Sequence, residues 1–170
     1  MLEISRRIIF KAMSWLPLAG LVGCATAVRD TGSEVGPPRA SPMTDQQALE
    51  AALQATALVG TSYRYGGNTP ESGFDCSGLI GYVYQRAARI TPPRSVRLIS
   101  AWGQAVPATH ARSGDLVIFG TRGSASHAGV YVGQSRFVHA PSTGGTVRLN
   151  SFREAYWAAR LMMYRRPVDL

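Results

Sequence analysis

The sequence predicts an α+β domain, with N-terminal helices packed on a small antiparallel β-sheet. Three observations lead there. Up to Trp102 the apolar residues recur at helical spacing, whereas after Gly114 they fall in short β-branched and aromatic runs parted by glycine-rich turns. Helices first and then a series of strands is the order of an α+β fold. The 170 residues are 45% hydrophobic and 16% charged, a globular balance, and the roughly 125 residues from Thr44 onward suffice for one modest core.

The first 43 residues stand apart from that domain. Arg6, Arg7 and Lys11 precede a short apolar run, Leu16 to Gly23, too short for the roughly 20 residues that span a bilayer as a helix. Residues 1–23 read as an export signal, and Leu21-Val22-Gly23-Cys24 looks like a lipoprotein processing site, with Cys24 as the lipidated residue. Ser5-Arg6-Arg7-Ile8-Ile9-Phe10-Lys11 also has the look of a twin-arginine signal. Residues 24–43, with Gly32, Gly36, Pro37, Pro38 and Pro42, have the composition of a linker. The domain is therefore expected over 44–170, exported, tethered through Cys24 and working close to its membrane.

Within the domain, Thr44 and Gln47 form a capping-box pattern for a first helix over about 45–59, with Ala48, Leu49, Ala52, Leu53, Thr56 and Ala57 at helical spacing and Gly60 as its stop. A glycine-rich loop, Tyr63-Arg64-Tyr65-Gly66-Gly67, follows. The second helix is expected from Cys76 to about Arg89, burying Leu79, Ile80, Val83, Tyr84 and Ala87, and Ser95 to Trp102 gives a third short one. Strands are expected at 115–119, 127–132, 136–140, 146–149 and 159–164. Asp115 is assigned to the turn before its strand.

The net charge of +8 falls to +6 without residues 1–23. Such basicity favours polyanions, and for an exported chain an anionic lipid or wall polymer fits better than nucleic acid. No arginine cluster interleaved with aromatics argues for nucleic-acid binding.

The cysteine count carries the chemistry. If Cys24 takes lipid, Cys76 is a lone thiol in an oxidising compartment, where an unpaired thiol is kept for reactivity. A cysteine on a helix is also an ordinary small hydrophobe. Its position argues for more, because a helix N-terminus and a neighbouring imidazole both lower a thiol pKa. Asp75 is placed to cap that helix, and exposed amides at its start can stabilise an oxyanion. Gly73 and Gly78 permit close approach of backbone and substrate. His127, opening a strand beside a loop, and His139, 12 residues later, become neighbours if their strands form a hairpin. One can then take the thiol proton while the other orients it. His110 has no such setting and is read as a surface residue. Zinc is disfavoured, since no C-x-x-C pair is present and the histidine interval is wrong.

Five segments occur in one order: Tyr63-Arg64-Tyr65-Gly66-Gly67, Gly73-Phe74-Asp75-Cys76-Ser77-Gly78, Ser113-Gly114-Asp115-Leu116-Val117-Ile118-Phe119, His127-Ala128-Gly129-Val130-Tyr131-Val132-Gly133 and Phe137-Val138-His139-Ala140. Together they resemble the NlpC-type family of bacterial cell-wall cysteine peptidases, across residues 45–166. The resemblance implies a compact papain-like fold, with Cys76 as nucleophile, His127 as base and His139 as the residue orienting it. It also implies that the Tyr63 hydroxyl assists oxyanion binding and that Asp75 and Ser77 line the substrate groove; Tyr65 is expected to pack against the first helix. The implied reaction is hydrolysis of amide bonds in peptidoglycan stem peptides or cross-links, involving D-glutamate or diaminopimelate, without metal or organic cofactor. A monomer anchored at the outer membrane is the expected form. A wall-binding scaffold without turnover, and a thiol amidase or acyltransferase on a related fold, are the alternatives.

Overall fold

The computed structural model describes residues 43–141 and 145–168, all within one compact unit spanning Val35–Leu170. The signal, the twin-arginine motif, Cys24 and the linker up to residue 42 lie outside the described residues. Among the described residues no helix is long and apolar enough to cross a membrane.

Helix α1 spans Asp45–Ala57, and its capping box is formed in both directions: Gln47 N–H donates to Thr44 Oγ1 at 3.2 Å and Thr44 N–H to Gln47 Oε1 at 2.9 Å. It ends two residues short of expectation, with Leu58 as its cap. Its buried face also differs. Ala48, Ala51, Ala52 and Ala55 face the core, while Leu49 and Leu53 are 55% and 56% exposed. The alanine stripe has the same 3.6-residue period as the leucines. It is chosen because small side chains let α1 press close to its neighbours: a Cβ on Gly114 would lie 2.2 Å from the Ala48 carbonyl oxygen.

A two-stranded ribbon, β1 (Asn68–Thr69) and β2 (Gly73–Phe74), leads into helix α2, Cys76–Ala88. This helix starts at Cys76 as the sequence requires and buries Leu79, Ile80, Val83 and Tyr84. Helix α3 covers Val96–Ala101, capped by the Ser95 hydroxyl. Then come β3 (Gln104–Val106), a 3₁₀ turn at Ala108–His110, β4 (Leu116–Thr121), β5 (Ser124–Gly133), β6 (Arg136–His139), β7 (Arg148–Ser151), a single helical turn α4 (Ala155–Ala158) and β8 (Leu161–Arg166). The six-stranded antiparallel sheet has the order β3-β8-β4-β5-β6-β7. The expected α+β class is the observed one. The ribbon, β3 and α4 were not expected, being too short to carry a hydrophobic period.

Alternation along the central strands divides the core in two. Leu116, Ile118, Ala128, Val130 and Val138 meet α1, α2 and α3 on one face. Val117, Phe119, Phe137 and Tyr164 form a second cluster on the other, with Phe152 and Trp157 packed against it. Strand β4 is buried on both faces, which is why it reads as the unbroken apolar run Leu116-Val117-Ile118-Phe119.

Candidate active site

Cys76 is the first residue of α2, and Asp75 is its N-cap. Asp75 Oδ1 accepts from Gly78 N–H at 2.6 Å and from the Ser77 hydroxyl at 2.8 Å, while Oδ2 accepts from Gly66 N–H at 2.9 Å. Arg94 Nη1 stands 3.7 Å away. Both carboxylate oxygens are thus engaged in fastening the glycine-rich loop to the helix. The loop also packs directly on α2, where a Cβ on Gly78 would sit 1.9 Å from the Gly67 carbonyl oxygen. The Gly78 approach is therefore backbone to backbone, not backbone to substrate. Ser77 corrects the expectation of a groove-lining residue: it is 6% exposed, and its hydroxyl oxygen also lies 3.1 Å from the Arg94 carbonyl, the second acceptor within reach of its one proton. Asp75 likewise acts first as a brace. Tyr65 corrects the expectation of packing against α1, being 87% exposed.

The backbone amides of Ser77, Ala128 and Cys76 itself act to lower the Cys76 thiol pKa, favouring the thiolate. Burial works the other way and dominates, followed by the Asp75 charge, so the thiol pKa lies above its ordinary value. The lowering expected from the helix terminus is present in the amides but is outweighed by desolvation. Tyr63, joined to Phe74 by an isolated bridge, is close enough to feel both Cys76 and Asp75. Burial first, and then those charges, raise its phenol, which keeps the proton on its hydroxyl.

The influence of the Ala128 amide on the thiol points to strand β5, where Ala128 follows His127. That strand begins at Ser124, so His127 lies within it instead of opening it. Phe119 pairs with His127 and Gly120 with Ala125, leaving Ser126 as an extra residue in a bulge. Bulges of this kind re-aim the neighbouring side chain. Val130 pairs with Val138 and Tyr131 with Phe137, so His127 and His139 share a face as diagonal neighbours. Their rings meet: His127 Nε2 and His139 Nδ1 are 2.8 Å apart. The hairpin expectation holds. His139 is buried, and its Nε2 is 2.9 Å from Asn150 Oδ1. Trp157 covers the pair, with ring centroids 5.7 Å from His127 and 4.7 Å from His139.

Burial, and then the neighbouring His139, lower the His127 pKa to about 3. His139 is lowered as well, chiefly by burial. At neutral pH both rings are uncharged. With Nε2 occupied by His139, the His127 nitrogen open to a thiol proton is Nδ1. A cavity of about 430 Å³ is lined by His127, Phe119, Ser126, Tyr156, Trp157 and Arg160. A cavity of about 730 Å³ lies along the outer face of α2, among Tyr82, Arg86, Arg89 and Arg94, and contains none of these groups. His110 is exposed in its 3₁₀ turn, as expected. Asn150 and Trp157 were missed, because neither sits in a segment whose pattern marks chemistry; only the register of β6 on β7 brings Asn150 to His139.

The NlpC/P60 family model matches residues 60–166. The chain belongs to the NlpC/P60 family. Over 128 residues this NlpC/P60 chain is 40% identical to the murein DD-endopeptidase MepH of Escherichia coli K12, covering 72% of the chain and 47% of MepH. It is 35% identical over 142 residues to the gamma-DL-glutamyl hydrolase of Bacillus subtilis 168, covering 82% of the chain and 34% of that protein. It thus spans about half of the first relative and a third of the second. Among solved structures, the NlpC/p60 domain of the peptidoglycan hydrolase SagA superposes with a TM-score of 0.61 at 28% identity, over 69% of this chain and 97% of that domain.

Proposed function

We propose that the protein is a peptidoglycan endopeptidase acting by acyl transfer through Cys76. The observation that carries this reading is a lone thiol at the head of α2 together with a paired imidazole: the Ala128 amide bears on the Cys76 thiol, and His127, next to Ala128 in β5, is held through Nε2 by His139. Kinship with proteins named murein DD-endopeptidase and gamma-DL-glutamyl hydrolase supports peptidoglycan as the substrate.

In the resting site the thiol and His127 are both neutral. As the sulfur–carbon bond to the scissile carbonyl forms, the thiol proton passes to His127 Nδ1 and negative charge gathers on the carbonyl oxygen. The Tyr63 hydroxyl and the amides at the head of α2 are the donors available to it. Collapse breaks the carbon–nitrogen bond, and His127 returns its proton to the leaving amine. Water then attacks the thioester, giving a carboxylic acid and the free thiol. His139 keeps the His127 ring in register throughout. The cleaved bond involves D-glutamate or diaminopimelate.

Digestion of purified peptidoglycan, with Cys76→Ala as control, tests the assignment. Wild type is expected to release muropeptide fragments whose masses retain the sugar–lactyl–alanine linkage, and Cys76→Ala none. Equal release from both would remove the peptidase reading, and loss of the lactyl–alanine bond would convert it to an amidase.

The anchoring proposal rests on Leu21-Val22-Gly23-Cys24: export, lipidation at Cys24 and residence at the periplasmic face of the outer membrane. Metabolic labelling with a fatty acid is expected to mark the wild-type chain and to spare Cys24→Ser. Label retained in the variant would refute it.

A further inference from the structure

The hydrogen bonds of the site continue beyond the two histidines. Asn150 Oδ1 meets His139 Nε2 at 2.9 Å, and Asn150 Nδ2 lies 3.1 and 3.2 Å from the two carboxylate oxygens of Glu154. Strand pairing makes this contact: Phe137 pairs with Asn150 and His139 with Arg148, so Asn150 is diagonal to His139 on one face. The tight turn after β7 brings Glu154 back, where Oε1 also accepts from Ser151 N–H at 2.9 Å.

We propose that Asn150 and Glu154 are positioning residues that set the tautomers of both histidines, a reading that rests on the peptidase proposal and deepens it. The reasoning is one of hydrogen-bond polarity. An ionised carboxylate only accepts, so Glu154 draws the amide NH₂ of Asn150 toward itself. The amide oxygen is thereby turned to His139, whose Nε2 must carry the proton. Neutral His139 then has a bare Nδ1, which accepts from His127, so the His127 proton sits on Nε2. His127 Nδ1 is left bare, as a base for the thiol requires.

Reversal at any link would propagate. If Asn150 flipped, it would donate to His139 Nε2, moving the His139 proton to Nδ1. His127 Nε2 would then be the acceptor and its proton would occupy Nδ1, blocking the base. A mis-set tautomer is costly even where the geometry of a catalytic site is intact.

The charged groups acting on His139 are Glu154, which favours its protonation, and Arg148 of β7, which opposes it. The Ser151 amide and then Asn150 hold the Glu154 carboxyl below its usual range. The acceptor therefore stays ionised at neutral pH, which is what the chain of polarity needs.

The test exploits the small number of imidazoles. The chain has three histidines, and exposed His110 serves as an internal reference for ring ¹⁵N chemical shifts of the full chain. In wild type at neutral pH both His127 and His139 are expected as Nε2–H tautomers. Glu154→Gln keeps an acceptor oxygen for Ser151 but offers Asn150 either polarity. It is expected to populate the Nδ1–H form of His139 and to lower kcat on peptidoglycan about tenfold with little change in KM.

Asn150→Asp combined with Glu154→Gln restores an unambiguous direction, since the introduced carboxylate can only accept from His139 and the introduced amide can donate to that carboxylate. This double variant is expected to recover the Nε2–H tautomers and kcat to within about threefold of wild type. Asn150→Ala, which leaves the Glu154–Ser151 contact in place, covers the case of a Glu154→Gln chain that fails to fold, and is expected to lose the tautomer preference. An Nδ1–H His139 in wild type, or tautomers unchanged in the single variants, would overturn the proposal. So would a double variant that recovers neither tautomer nor rate. Correct tautomers in a wild type that releases nothing from peptidoglycan would instead leave this inference standing and defeat the peptidase assignment.

Discussion

His127 shows how burial of a single side chain bears on both chemistry and fold. The proposed mechanism needs it unprotonated at working pH, and burial lowers its pKa to about 3. The same burial makes acid destabilising. Between about pH 6.5 and pH 3 the unfolded chain binds a proton at this site that the native state refuses, so stability falls as pH falls through that window. At about 1.4 kcal/mol per unit, the loss attributable to His127 between pH 6.5 and pH 4 is about 3 kcal/mol. His139, also lowered, adds to it in the same direction. Urea unfolding of the wild type at pH 7 and pH 4 is expected to show the drop, and His127→Gln to lose about 3 kcal/mol less over the same interval. Equal losses in the two proteins would mean that His127 titrates normally in the fold.

Among the elements, the start of β4 and the end of β8 depend on one buried pair. Asp115 is fully buried and binds Arg166 through two bonds of 2.9 Å, from Nε to Oδ1 and from Nη2 to Oδ2. It also accepts from Arg112 N–H at 2.9 Å, which closes the turn as the sequence suggested. Arg166 in turn donates to the His110 carbonyl at 2.8 Å. A buried pair of this kind is a weak stabiliser as a pair but a costly one to halve, because the orphaned charge has no water. Asp115→Ala is expected to cost about 3–5 kcal/mol in chemical denaturation. A loss below about 1 kcal/mol would show that Arg166 escapes to solvent when its partner goes. Helix α1 teaches a related lesson about patterns. Its leucines and alanines have the same period, and only the close approach of Gly114 to Ala48 decides that the alanines turn inward.

Across the whole molecule, the α+β order, the three helices, their caps and the five main strands were legible because each is written in local signals: a cap residue, a period of 3.6 or 2, a glycine stop. Cys76 at the head of α2 was legible for the same reason, since Asp75 caps and Leu79, Ile80 and Val83 follow at core spacing. The nearness of His127 to His139 needed one assumption, a hairpin, which the register supplies. Asn150, Glu154 and Trp157 were not legible. They reach the histidines through the register of β7 on β6 and through the turn that follows, and no spacing in the chain encodes that meeting. The roles implied for Ser77 and Tyr65 changed for a similar reason, because exposure is a property of what packs around a residue. The sequence alone determined which elements form and where the thiol sits, as these follow from short-range sterics, hydrogen bonding and hydrophobic periodicity. The tertiary structure alone decided the protonation balance at Cys76 and His127 and the polar chain behind them, because desolvation and cross-strand hydrogen bonds exist only once distant segments have come together.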